Sequence, residues 1–111
     1  MQSAKRTVVV VDGIPVSLIE WNVFPPAVVA MAFPTFILIH SNRVEDIYLL
    51  EHEFEHVRQW RRYGPVVFIF RYLIEYLRGR VTGHSHQSAY LNISFEKAAR
   101  AAAQAAADRE S

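Results

Sequence analysis

His52-Glu53-Phe54-Glu55-His56 sets two imidazoles four residues apart, with a carboxylate directly after the first. On a helix, residues at that spacing project side by side, so both rings can reach one ion. Glu53 then points to the adjacent edge of the site, where it can take a proton from a zinc-bound water without occupying the metal. The chemistry favoured is hydrolysis: zinc brings the water's pKa to about 7 and polarises a carbonyl, while the glutamate receives the proton. A zinc of this kind needs a third protein ligand and an open position. The chain has no cysteine, so any transition metal must rely on His, Asp or Glu. Gln59 and Arg62 stand where the H-E-x-x-H-x-x-G-x-x-H pattern requires Gly and His, which excludes that arrangement. Glu75, His84, His86, Glu96, Asp108 and Glu110 remain open as third ligands.

The elements that must position these residues follow from periodicity. Residues 44–63 predict a helix with Ser41 or Asn42 as N-cap, Glu45 and Asp46 in its first turn, and Gly64-Pro65 as its stop. On it, Ile47, Leu50, Phe54 and Val57 share one face and His52, His56 and Gln59 a neighbouring one, giving a core side and a chemistry side. Upstream, residues 7–11, 16–21 and 33–39 are rich in Val, Ile, Phe and Trp and are separated by Asp12-Gly13 and Pro25-Pro26, which predicts three strands. Pro34 cannot donate to a ladder and belongs at a strand start or an edge. Residues 66–77 predict a second helix, stopped near Gly79 and largely buried, because its apolar residues nearly encircle it except for the stripe Arg71, Glu75, Arg78. Residues 83–88 read as a loop, and Ser94 opens a final alanine-rich helix that extends to Asp108. The expected fold is α+β: a small N-terminal three-stranded sheet packed on the motif helix and two further helices.

With 111 residues, 51% apolar and 21% charged, the chain is sized for one domain over 1–111 with a single core. A formal net charge of +1 gives no general pull toward nucleic acid. Arg58, Arg61, Arg62, Arg71, Arg78 and Arg80 read as a solvated helix face, since acids interleave with them. Residues 23–39 carry no charge, but three prolines interrupt them, so a pair of buried strands is expected there and not a membrane span. No signal-peptide core is recognised, and the default expectation is a cytoplasmic protein.

The stretch His52-Glu-Phe-Glu-His-Val-Arg-Gln-Trp60, then Tyr63-Gly64, an aromatic-rich helix, and Ala89-Tyr-Leu-Asn-Ile-Ser-Phe-Glu-Lys-Ala98 together resemble the minigluzincins, very small gluzincin metallopeptidase domains. The resemblance covers roughly residues 37–100. It implies a zinc endopeptidase with one zinc per chain, held by His52, His56 and a glutamate from a downstream helix, Glu96, with Glu53 as base and a peptide or protein as substrate. Glu75 has Arg71 and Arg78 as helical neighbours to pair with, whereas Glu96 lies in the first turn after the Ser94 cap beside small alanines. Some members look like latent zymogens, so the resemblance is compatible with weak activity of the isolated chain. Two departures stand out: Asn92-Ile-Ser-Phe replaces a frequent Asn-Pro block, and Arg100 and alanines follow Glu96 where larger gluzincins carry an acid that orients a ligand histidine. The orienting partners are therefore unassigned. Phe36 to His40 would be the strand that pairs with extended substrate. His40, His84, His86 and Tyr90 are candidate contacts to substrate or transition state, against the plainer roles of solvated histidines and a buried aromatic anchor. Two other classes compete with an enzyme: a non-catalytic zinc-binding regulatory or interaction domain, and a small membrane-associated protein motivated by residues 23–39 and the second apolar helix.

Overall fold

A computed structural model describes residues 5–21 and 30–110; the Pro25-Pro26 break lies outside them. The chain is α+β, with an N-terminal sheet followed by four helices. Strands β1 (Lys5–Val11) and β2 (Ile14–Trp21) form a hairpin whose two turn residues, Asp12 and Gly13, both take positive φ, as tight hairpin turns require. Strands β3 (Ala30–Ala32) and β4 (Phe36–His40) complete the order β1-β2-β4-β3, with β2 and β4 parallel and the other pairs antiparallel.

The sheet thus has four strands where three were expected. Ala-Met-Ala is too short and too poor in β-branched residues to show a strand period, yet it forms the outer edge beside β4. Phe33 and Pro34 belong to the turn joining β3 to β4, closed by Phe33 N–H donating to the Phe36 carbonyl at 2.8 Å. Proline fits that turn for the same reason it does not fit a ladder.

One face of the sheet carries the main core. Val16, Leu18, Ile37 and Ile39 are buried together with Val11 and with Val57 of helix α1 (Ile47–Tyr63), and Leu50 and Phe54 pack against them. Full burial stabilises each such side chain by roughly 1.5–3 kcal/mol, so this layer anchors α1 and fixes its rotation. Ile47, the first residue of α1, stays 47% exposed and outside the core. The cap of α1 is Asp46, whose carboxylate accepts from Leu49 N–H at 3.1 Å and pairs with Arg43 at 3.0 Å. Ser41 and Asn42 instead sit in a 3₁₀ turn that His40 caps.

Helix α2 (Pro65–Val81) begins directly after Gly64, which ends α1 at φ +82°. It is not largely buried: Phe68 is its one buried residue, and Tyr72 and Tyr76 are half-buried on the same face. Gly79 does not stop it. A Cβ there would fall 2.9 Å from the Cβ of Ala89, so the glycine lets helix α3 (His86–Leu91) seat against α2. Part of the expected loop is that helix α3, capped by Ser85, which accepts from Ser88 N–H at 3.1 Å. Helix α4 (Ser94–Glu110) packs chiefly on α1, with Ala99, Ala103 and Ala106 as its buried stripe. Small side chains at that seam allow close helix approach, which is how α4 reaches the motif.

Candidate metal centre

Helix α1 turns its sheet-facing side chains into the core, and the neighbouring stripe then presents His52 and His56 toward α4. Their rings lie 4.9 Å apart, edge to face. From the first turn of α4, 44 residues further along, Glu96 enters between them. Its Oε1 lies 3.0 Å from His52 Nε2 and its Oε2 3.2 Å from His56 Nε2. Glu96 is 3% exposed, and one ligand atom from each residue can be drawn within 4.8 Å of the others. Ligands at about 2.1 Å from a tetrahedral zinc stand roughly 3.4 Å apart, and the two close approaches, one to each Glu96 oxygen, are near that size.

Hydrogen bonding around the imidazoles supplies an independent test of fit. Gln59 Nε2 donates to the Phe95 carbonyl at 3.0 Å, which orients the amide so that its oxygen faces His56 Nδ1 at 2.8 Å. His56 therefore carries its proton on Nδ1 and turns Nε2 toward the carboxylate. A lone pair 3.2 Å from a buried carboxylate requires positive charge between them, and a divalent cation or added protons can supply it. Burial works against the charged His56 ring, but the Glu96 carboxylate outweighs it and raises the imidazole pKa. Burial likewise disfavours the Glu96 anion, yet hydrogen bonds from His52, His56 and Tyr72 hold its carboxyl far below the ordinary value.

Two phenols complete the surroundings of Glu96. Tyr72 donates to Oε2 at 2.7 Å and Tyr90 to Oε1 at 3.1 Å. Burial and the adjacent carboxylate raise both hydroxyls well above the normal phenol range, which keeps them protonated as donors. Phe68 stacks on Trp60 and Phe95 at 4.3 and 4.7 Å and meets the His56 ring at 6.4 Å, forming an apolar wall behind the imidazole. Glu53 is 6% exposed; burial pushes its carboxyl above the usual range, Glu96 adds to that, and His56 and His52 oppose it. His52, Glu53, His56, Tyr72, Tyr90 and Glu96 line a cleft of about 780 Å³ bordered by β3 and by all four α-helices.

No family model, curated protein or solved structure matches this chain.

The remaining candidates separate by position. His86 lines the cleft, with Nδ1 2.8 Å from the Tyr76 hydroxyl. His84 pairs with Ser88 Oγ at 2.9 Å and His40 accepts from Asn42 N–H at 3.3 Å; neither lines the cleft. Glu75 lies away from the histidines and binds the start of α4, accepting from Ser94 N–H at 2.6 Å and Ser94 Oγ at 2.9 Å while Arg71 pairs with it at 3.1 Å. Phe36 to His40 cannot pair with a substrate, because β4 is enclosed between β2 and β3. Among the described residues the edge belongs to β3, which lines the cleft and is tied to α1 by Trp60 Nε1 donating to the Ala32 carbonyl at 2.9 Å. Tyr72 and the orienting role of Gln59 were not foreseen. Gln59 shares the histidine stripe, and Phe68, Tyr72 and Tyr76 recur every four residues, so both signals were present without a partner to give them meaning.

Proposed function

We propose that the chain is a zinc-dependent endopeptidase of gluzincin type. The observation that carries this reading is the buried meeting of His52, His56 and Glu96, from helices far apart in sequence, beside a buried Glu53 at the head of an open cleft. His52, His56 and Glu96 would hold the ion, and their nitrogen and oxygen donors suit zinc. When bound, zinc supplies a Lewis acid that acidifies water and polarises a carbonyl. Glu53, whose carboxyl burial raises above its ordinary range, would take a proton from the attacking water and deliver it to the leaving amine. Tyr90 lines the cleft and gives its one hydroxyl proton to Glu96 Oε1, so it would serve the oxygen on which charge develops only by turning from that carboxylate. Among the described residues β3 is the sheet edge on the cleft, and beside the Ala32 carbonyl held by Trp60 it would receive the extended peptide by strand pairing, in the place expected for β4.

The test is cleavage of a quenched fluorescent peptide mixture by the zinc-loaded chain and by Glu53→Gln. Cleavage should fall by about 10²–10⁴-fold with bound zinc retained, because the carboxylate is a base and not a ligand. Equal cleavage by the two proteins would overturn the mechanism.

A further inference from the structure

Helix α2 has two working faces, and the inner one alone serves the site. At 100° per residue, Val66, Phe70, Leu73, Ile74, Leu77 and Val81 share an outer arc of about 100°. These six side chains are between 51% and 84% exposed. A patch of this size and continuity on a helix marks a surface that meets an apolar partner. Charge at its borders says which kind. Arg80 flanks the arc on one side and Arg78, with Arg71 beyond it, on the other. The only acid of the helix, Glu75, turns inward, committed to Ser94 and Arg71.

A second copy fits this face poorly. Two-fold packing of α2 on α2 would bring arginine-bordered rims together, with no exposed acid on the helix to answer them. Nor does α2 span a membrane, since among the described residues no helix is long and apolar enough to cross one. An apolar arc bounded by arginines, on a helix lying flat, matches the boundary between acyl chains and anionic headgroups, with arginine stems reaching outward to phosphates.

We infer that the outer face of α2 docks the protein on an anionic lipid surface. The helix then holds Tyr72 toward Glu96 with one face and rests on lipid with the other. Flotation of the full chain with vesicles tests this, using phosphatidylcholine alone and phosphatidylcholine with phosphatidylglycerol. Partition onto the anionic vesicles is expected, weakening with added salt. Phe70→Asp with Leu77→Asp should reduce it at least tenfold. Arg78→Gln with Arg80→Gln should reduce it by roughly fivefold per arginine on the anionic vesicles, with little change on neutral ones. Circular dichroism and zinc content serve as folding controls, and the arginine pair stands as the test if the aspartate pair misfolds. Absence of partition, or partition indifferent to the arginine pair, overturns the proposal. So does a stable dimer that Phe70→Asp dissociates, which would assign the face to a second copy.

Discussion

A histidine offers a metal one nitrogen cleanly only when the other is committed elsewhere, and His56 meets that condition through Gln59. The Gln59 amide is itself held by the Phe95 carbonyl, one residue before Glu96. The same side chain thus sets the His56 ring and ties α1 to the start of the helix that carries Glu96. Gln59→Ala should lower zinc affinity by roughly 10–100-fold, as loss of such orienting partners does, measured by competition with a chromophoric chelator. Unchanged affinity would mean the ring is held by packing against Phe68 alone. At this scale His52, Glu53, His56 and the stripe they share with Gln59 were readable, because helical spacing alone sets their neighbours. Glu96 was not readable from spacing. Its place depends on how α4 crosses α1; the arginines beside Glu75 and the resemblance together favoured it among the acids, and neither gave its position. Tyr72 was hidden for the same reason, since an aromatic every fourth residue looks alike whether it lines a core or a site.

Among the elements, the start of α4 shows how position is enforced. Glu75 of α2 accepts from both the backbone N–H and the hydroxyl of Ser94, so a carboxylate from another helix does the work expected of Ser94 as cap. Burial raises the Glu75 carboxyl, but the two Ser94 bonds and Arg71 outweigh it and leave its pKa below the ordinary value. A depressed carboxylate stabilises the fold fully above its unfolded pKa of about 4.3, and that contribution is lost as pH falls through the folded value. Glu75→Gln keeps an acceptor and loses the charge, so it should be about 1 kcal/mol less stable near pH 7. The gap should close on acidification toward pH 3, as followed by thermal melts of both proteins; a gap independent of pH would contradict the assignment. The expectation of a buried α2 failed because apolar residues all around a helix do not say which side finds a partner. Residues 86–88 of the expected loop at 83–88 open α3 instead, because Gly79 and Ala89 let it dock, a fit visible only with both in place.

Across the whole molecule, the sheet fixes α1 through Val57, Phe54 and Leu50, and α4 and α2 close over its other side. The α+β class and the N-terminal sheet were legible from β-rich runs followed by helical periods. The fourth strand was not, because three residues of low β propensity gain their place only by pairing with β4. On the proposed reading, an ion held by His52, His56 and Glu96 would join α1 to α4. Metal content of the purified chain after zinc loading and desalting tests this most directly, with His52→Ala, Glu96→Ala and Glu75→Gln alongside. About one zinc per chain is predicted for the parent and for Glu75→Gln, with loss in His52→Ala and Glu96→Ala. Full zinc in Glu96→Ala or His52→Ala would contradict the site.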